Sequence, residues 1–264
     1  MNNDFKTNIT VNLGFELDLN RPITTYTESI QDAKCAHSHS HPRGQVIACR
    51  GGIMKVVTPN QIWIINPSQC IWLASNVQHQ VFFPDRVMVI SAFIHPSRLN
   101  GLPTSSFAFD SSEFFWSLLN KINSFSNPQH FTKQQLNIVD VFLDELATIE
   151  ASPTFLPTSN HEKINTITHS LMANYSSNKN IEHYAQLICV SSRTLSRLFK
   201  KELGMSFGEW KIRLKMLEAI KQLGENKSIK EIAYDLGYDN SSSFIATFKH
   251  HTGKTPGTYI QQSQ

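Results

Sequence analysis

Apolar residues in the first third of the chain fall in short runs. QVIACR, IMKVV, QIWIIN, QCIWLA, QVFF and VMVISAFI lie between about Tyr26 and Ile94, each bounded by Pro, Gly, Asn or Asp. Runs this short, closely and regularly spaced, predict an all-β sandwich or barrel. From Ser111 the period changes. Phe114, Phe115, Leu118, Leu119 and Ile122, then Leu136, Val139, Phe142, Leu143 and Leu146, recur at three and four residues, which predicts two amphipathic helices covering a sheet face or a subunit interface. The stretch ASPTFLPTSNH (Ala151 to His161) carries two prolines and small polar residues and reads as an interdomain linker. Beyond it helical spacing predominates: a leading helix from Glu162 to Asn174, a long one from about Phe207 to Leu223 with Phe207, Trp210, Leu214 and Leu217 on one stripe, and a short one after Pro256.

Within this helical region a single pattern is written twice. IEHYAQLICVSSRTLSRLFKKELGMSFGEW (Ile181 to Trp210) is answered by SIKEIAYDLGYDNSSSFIATFKHHTGKTPGTY (Ser228 to Tyr259). Ala185 matches Ala233, Leu195 matches Phe244, Phe199-Lys200 matches Phe248-Lys249, Gly204 matches Gly253 and Trp210 matches Tyr259. The offset is 48 before the turn and 49 after it. An extra turn residue costs little, whereas a frame kept through the next helix preserves which face is buried. Each copy reads as a helix-turn-helix, and two such modules in tandem make double-stranded DNA the first partner to consider. The long helix between them, roughly 17 residues and about 25 Å, could hold two reading helices about one DNA turn, ~34 Å, apart.

Composition agrees. At 264 residues the chain is long enough for two domains of roughly 100 to 200 residues. Residues 1 to 160 hold 10 Lys and Arg against 12 Asp and Glu, and residues 161 to 264 hold 14 against 9. The basic excess thus sits on the duplicated region, where phosphates would be met. The start, MNNDFKTNIT, has no apolar core of signal-peptide length, and no run approaches the roughly 20 apolar residues of a membrane helix. Cys35, Cys49, Cys70 and Cys189 are scattered without C-x-x-C spacing and read as reduced cytosolic thiols.

In the first module Leu195, Leu198 and Phe199 mark the core side of the second helix, and Arg193, Ser196, Arg197 and Lys200 form the opposite stripe. Arginine forks suit guanine O6 and N7, while Lys200 and Lys201, further along, suit phosphates. In the second module Phe244 and Phe248 mark the core side. The equivalent outward positions are Ser242, Ile245, Ala246 and Lys249, a short and nearly neutral face that could meet a thymine methyl through Ile245 or Ala246 and a phosphate through Lys249. The first module is therefore expected to carry more hydrogen-bonded readout.

The two modules together, with A-x5-S-x3-L-x-R-x-F-K in the first and I-A-x-D-L-G-Y-x5-F-x3-F-K-x3-G-x2-P in the second, resemble the AraC/XylS family of bacterial transcription regulators over roughly 100 residues. The resemblance implies base contacts by Arg193, Ser196, Arg197, Ser242 and Ala246. At Ala246 the chain departs from many members, in which an Arg is common.

Upstream, His37-Ser38-His39-Ser40-His41 places three imidazoles at alternate positions, which share one face in a strand. The segment reads H-x-H-x3-Q-x6-G through Gln45 and Gly52, and His79 follows an ASNVQ turn. This resembles the two-motif pattern of cupin barrels, in which His, His, a carboxylate and a later His converge on a metal. Gln45 stands where the carboxylate would be, and Ala74 and Asn76 replace the usual Pro and Gly. Two readings stay open: a divalent metal at His39, His41 and His79, or imidazoles that line an effector pocket or bond within the barrel. The resemblance to sensor cupins of the regulator family implies an effector pocket of His37, His39, His41, Gln45 and His79, with Trp63, Trp72 and Phe83 as candidate aromatic wall.

The expected protein is α+β: a cupin-like β-barrel with appended helices at residues 1–150, for effector binding and dimerisation, a linker at 151–161, and an all-α double helix-turn-helix domain at 162–264. It is expected to act in the cytoplasm as a sequence-specific regulator bound to promoter DNA and a small-molecule effector, with a second copy of the chain and RNA polymerase as further candidate partners. A rival is a cupin metalloenzyme carrying a passenger DNA-binding region. Gln45 and the lack of a clear acid/base pair near the histidines argue against it, and no catalytic residue is assigned.

Overall fold

A computed structural model of the chain describes residues 12–67, 69–83, 86–152, 155–225 and 227–261. The opening MNNDFKTNIT and the Pro153-Thr154 pair of the expected linker lie outside the described residues. The strands are β1 (Ile23–Ile30), β2 (Lys34–Cys35), β3 (Gly44–Arg50), β4 (Met54–Val57), β5 (Gln61–Ile65), β6 (Gln69–Leu73), β7 (Gln80–Phe83), β8 (Val87–Ile94), β9 (Phe107–Asp110) and β10 (Phe155–Pro157). The helices are α1 (Glu113–Asn123), α2 (Lys133–Thr148), α3 (Glu162–Ala173), α4 (Ile181–Leu187), α5 (Ser192–Leu203), α6 (Phe207–Gly224), α7 (Ile229–Asp235), α8 (Ser241–Thr252) and α9 (Pro256–Gln261). The fold is α+β as expected, with antiparallel strands first and helices after. No helix among the described residues is long and apolar enough to cross a membrane.

The chain divides into two compact units, Met1–Val56 with Ile65–Ser152, and Val57–Ile64 with Pro153–Gln264. In the first, β1, β8, β3, β6 and β9 form an antiparallel sheet in that order. Strand period decides what each face meets. Val46 and Ala48 of β3 and Ile90 and Ala92 of β8 pack with Phe115, Leu119, Phe142 and Leu146 of α1 and α2 in one apolar cluster. The intervening Gln45, Ile47, Val89 and Ser91 point the other way and line a cavity. Both helices start at capped ends, Ser112 accepting from the Phe115 amide and Thr132 from the Gln135 amide. Of the predicted stripes, Phe115, Leu119, Ile122, Val139, Phe142, Leu143 and Leu146 are buried, Leu118 and Leu136 are partly buried, and Phe114 stays about half exposed.

One residue of the first unit carries more than sequence patterning indicates. Arg43 is fully buried, and its guanidinium donates to the carbonyls of Glu16 (2.6 Å), Arg21 (2.9 Å) and Phe93 (3.0 Å). Burial lowers its pKa to about 10, so it stays charged at neutral pH. Three carbonyls thereby share one buried cation and tie the incoming segment to β8.

The second unit differs from the linker expectation. Within 151–161, Phe155–Pro157 is a strand whose residues pair with Trp63, Ile62 and Gln61 of β5. Leu156 is buried in the helical core, and the Pro157 carbonyl accepts from the indole nitrogen of Trp210 at 2.9 Å. The prolines signal a break, and the apolar Phe-Leu pair between them is the signal for a buried strand.

The duplicated pattern folds as written. Leu195, Phe199, Trp210, Phe244, Phe248 and Tyr259 are all buried in one cluster around α6. Each module turns by the same device: the Val190 amide bonds the Ala185 carbonyl (3.0 Å) and the Tyr238 amide bonds the Ala233 carbonyl (2.9 Å). The turn residue has φ +74° at Gly237 and φ +54° at Cys189. The frame shifts just after it, with Asp239 as the additional residue before the caps Ser191 and Asn240.

Substitutions at these positions have defined outcomes. Arg43→Met leaves three buried carbonyls without their donor and is expected to lower the unfolding free energy by about 3 kcal/mol, read as a fall in the urea midpoint. A left-handed conformation costs a residue with a Cβ on the order of 1 kcal/mol. Cys189→Gly should therefore raise the unfolding temperature of the helical unit. Gly237→Ala should lower it by more, because its Cβ would also approach the Ser176 carbonyl oxygen to 2.9 Å. Equal shifts of one sign in the two variants would contradict this account.

Candidate DNA-binding helices and a histidine-lined cavity

Helix α5 is amphipathic in the sense a reading helix needs. Leu195, Phe199 and Leu203 are buried, whereas Arg193, Ser196, Arg197, Lys200 and Lys201 are exposed. Ser191 caps the start, its hydroxyl accepting from the Thr194 amide. No bond or ion pair engages the side chains of Arg193 and Arg197 among the described residues, so both forks stand free toward solvent. Lys200 differs from the sequence expectation in one respect: its ammonium donates to the Gly204 carbonyl (3.1 Å) at the end of its own helix. Lys201 meets Glu202 at 3.5 Å but remains 76% exposed, a pair too solvated to hold it.

Helix α8 is the equivalent element. Phe244 and Phe248 are buried, and Ser242, Ala246, Lys249 and His250 are exposed. Ile245 is half-buried against the core of the unit. Of the two side chains assigned to a thymine methyl, Ala246 is therefore the one left on the surface. Asn240 caps the helix, accepting from the Ser243 amide at 2.8 Å. The two outward faces are thus unequal, with two guanidinium forks on one and small neutral side chains on the other.

In the first unit β2 ends at Cys35 and β3 begins at Gly44, so the run of histidines lies in the irregular segment between strands. A single antiparallel bridge joins His39 to His79, the His39 amide donating to the His79 carbonyl (3.0 Å) and the His79 amide to the His39 carbonyl (2.8 Å). His39, His41 and His79 gather with ring centroids 4.4 to 5.6 Å apart. A ring nitrogen of each lies within 4.8 Å of the others. His37 does not join them. It is exposed, because without a continuous strand the alternate positions do not share a face.

Each clustered ring is oriented by a backbone carbonyl. Nδ1 of His39 lies 2.7 Å from the His37 oxygen, that of His41 2.8 Å from the Arg43 oxygen, and that of His79 2.9 Å from the Val77 oxygen. A carbonyl only accepts, so Nδ1 carries the proton and Nε2 keeps its lone pair. Burial lowers the pKa of His41 and takes that of His79 down to about 4, leaving both neutral at physiological pH. Gln45 lies 3.1 Å from His41 Nε2 and 3.3 Å from the Ser91 hydroxyl. With a lone pair at His41, the amide is best satisfied with its NH2 toward the imidazole. Imidazole nitrogens held this way fit a borderline divalent metal, whereas the carboxylate that a hard cation prefers is replaced by Gln45.

Beside the cluster is a cavity of about 40 Å³ lined by Tyr26, Glu28, Ile30, Ala36, His39, Gln45, Ile47, His79, Val81, Phe83, Val89 and Ser91. Of the three aromatic residues expected in its wall, Phe83 is one. Trp72 instead packs in the cluster beneath α1 and α2, its indole donating to the Pro103 carbonyl, and Trp63 is buried in the second unit on β5. Sequence reading missed Tyr26, Glu28 and Ser91, although the alternation of TYTES in β1 was the available signal for the first two. Glu28 is neutralised in place by Lys34 (2.6 Å) and the Tyr26 hydroxyl (2.8 Å).

Comparison with known proteins follows this division. The helix-turn-helix domain family model matches residues 184–262. Over 222 residues the chain is 28% identical to the HTH-type transcriptional regulator NimR of Escherichia coli (strain K12), covering 84% of this chain and 81% of that one. It is 34% identical over 97 residues to the HTH-type transcriptional regulator RipA of Corynebacterium glutamicum, covering 37% of this chain and 29% of RipA. Among solved structures, unsaturated fatty acid bound ToxT from Vibrio cholerae aligns over 91% of this chain and 94% of its own, at 15% identity and a TM-score of 0.39.

Two capped, duplicated helix-turn-helix modules with a free arginine face, matched by that family and by such relatives, define a DNA-binding transcriptional regulator. Residues 184–262 match the helix-turn-helix domain family, and over most of its length the chain is similar to one such regulator.

Arg197→Ala is expected to cost about 1 to 3 kcal/mol at the preferred site and to relax the preference at one or two base pairs. Lys201→Ala should weaken all sequences alike and reduce the salt slope by about one unit. Competition against single-base variants of the site separates them. Equal losses on specific and random DNA for Arg197→Ala would assign readout elsewhere.

Proposed function

We propose that the chain is a cytoplasmic, two-domain regulator in which residues 1–150 sense a small molecule and residues 162–264 read promoter DNA. Arg193, Ser196 and Arg197 on α5 read base edges, Ser242 and Ala246 on α8 supply short-range contacts, and Lys200, Lys201 and Lys249 hold phosphates. The observation that carries this reading is the pair of free guanidinium forks opposite buried Leu195 and Phe199. For Lys200 it requires exchange of the Gly204 carbonyl for a phosphate, a small rotation at an exposed helix end.

The effector site of this reading is the cavity with His39, Gln45 and His79 in its wall and His41 against it. Its polar groups converge from three strands and two irregular segments, as specific small-molecule sites do. A volume of about 40 Å³ is enough for an ion or a water, so a larger effector enters by displacing side chains. Binding energy spent on that displacement is how a ligand shifts a conformational equilibrium. Sensing is favoured over turnover because the carboxylate in the wall, Glu28, is already bonded to Lys34 and Tyr26 and is no free acid or base. A second copy of the chain is a further partner of this reading, with Phe114 and Val141 as exposed apolar side chains on α1 and α2, and RNA polymerase is the downstream one.

Selection of bound sequences from a random duplex pool tests DNA recognition with the full chain. Expected is a site with two elements about one helical turn apart, the element read by α5 being the more sharply defined, bound about 10³-fold or more tighter than random duplex. A pool that shows no enrichment at moderate salt would reject sequence-specific regulation by this protein.

A further inference from the structure

We propose that Lys211 and Lys215 on α6, with the loop that precedes α4 and the turn that precedes α8, form a phosphate site between the two modules, and that its occupant is a backbone phosphate of the bound duplex. The proposal rests on the DNA-reading function proposed above and adds a contact that neither outward helix face supplies.

Three observations carry it. Lys215 is only 8% exposed, yet among the described residues its ammonium has neither a hydrogen bond nor an ion pair. It lies 5.3 Å from the centre of the Tyr238 ring. A buried ammonium is costly unless a counter-charge meets it, and a ring face replaces only part of that charge. Second, Lys211, one turn earlier and partly buried, donates to the Lys179 carbonyl at 2.9 Å, which leaves N–H groups for a further acceptor. No carboxylate pairs with either cation among the described residues, the acids of this helix, Glu209 and Glu218, being engaged by Arg213 and Lys221. Burial lowers the pKa of both lysines, and repulsion from Lys211 lowers that of Lys215 further. An anion at this point would offset both effects. Third, a Cβ placed on Gly237 would lie 3.7 Å from the Lys215 Nζ and 3.6 Å from the Asn178 side-chain oxygen. The ammonium, the turn between α7 and α8 and the loop between α3 and α4 therefore meet in one place.

That place selects the occupant. In a helix-turn-helix the second helix enters the groove by its N-terminus while the first crosses the backbone. Lys215 reaches the turn just before Asn240, which caps α8, and Lys211 reaches Lys179, just before Asn180, which caps α4. A recessed ammonium suits a protruding phosphate oxygen better than a base edge deep in the groove. The contact thus supplies affinity and register and carries no sequence information.

The test compares the full chain with Lys215→Met, Lys215→Arg, Lys211→Met and, as a control on the same helix, Lys221→Met. Lys215→Met should weaken specific and random duplexes alike, on the order of 10-fold, and reduce the salt slope by about one unit. Its urea midpoint should hold or rise, because methionine fills similar space without a buried charge. Lys211→Met should act in the same direction on binding, Lys215→Arg should keep the salt slope, and Lys221→Met should bind as the parent does. A purely structural lysine would give the opposite pattern for Lys215→Met, a lower midpoint with the salt slope kept. That pattern, or unchanged duplex affinity in a folded Lys215→Met protein, would overturn the proposal. Thermal unfolding in inorganic phosphate against chloride at equal ionic strength separates the other source of the same chemistry. Phosphate that stabilises the parent but not Lys215→Met, with equal duplex affinity in the two, would assign the site to a free anion and reject the duplex as its occupant. A parent that binds no duplex would reject the DNA-reading function itself, and this site with it.

Discussion

Helix α6 has to be buried on two sides at once, and the DNA-binding unit depends on that. Phe207, Trp210, Leu214, Met216, Leu217, Ala219, Ile220 and Leu223 are all buried in a single cluster with the inner residues of α5 and α8. Eighteen residues make a rod of about 27 Å. Because it is packed along its length, the two modules are positioned by a shared rigid element and not by a flexible joint. Its buried polar side chains are met in part: Lys215 lies over the Tyr238 ring, and Gln222 donates to Glu218 and the Tyr175 hydroxyl while its Oε1 is left without a partner. Function then reduces to what each module presents outward, and here the copies have diverged. Leu195, Phe199 and Trp210 still answer Phe244, Phe248 and Tyr259 in the core, whereas the forks on α5 correspond to small side chains on α8.

Much of this was legible in the chain because buried positions in helices repeat with a period that exposed ones do not obscure. Leu195 with Phe199 and Phe244 with Phe248 identify both core faces, and the exposed stripe follows by subtraction. The strands from Gln45 to Ile94 are equally plain, being short runs between turn residues. What could not be read is which face of a strand meets which neighbour. β3 is buried at every position from Gly44 to Cys49, so its alternation between the helix-covered cluster and the cavity leaves no trace in hydrophobicity. Apolar patterning therefore assigns Trp72 to the cavity wall when its register puts it on the other face, and it passes over Tyr26 and Ser91. Arg43 is invisible for another reason: its three partners are backbone carbonyls, which every residue has.

The histidine segment illustrates the same limit. Alternate imidazoles suggest a strand, yet two residues are all that β2 contains, and the cluster is assembled by a lone bridge to a turn some forty residues later. Spacing identifies the residues that meet; the irregular backbone decides that His37 is not among them. Irregularity is also what lets carbonyls of His37, Arg43 and Val77 turn toward the rings, since in a continuous ladder the same oxygens would be spent on neighbouring strands.

The pairing of β10 with β5 bears on how the protein can be dissected. Because Val57–Ile64 is grouped with the helices although it lies deep in the N-terminal sequence, the polypeptide crosses between its two units three times. A gene truncated so as to begin after the proline-rich segment would remove all three crossings, and with them Leu156 from the helical core and the Pro157 carbonyl from Trp210. A fragment that begins at residue 161 thus lacks a piece of its own unit. Proteolytic nicking near 153, by contrast, leaves the β5 crossings intact and keeps both β5 and β10 available to pair. Chimaeras that exchange the front half of such regulators inherit this constraint, since the strand that caps the DNA-binding half travels with the half it does not serve.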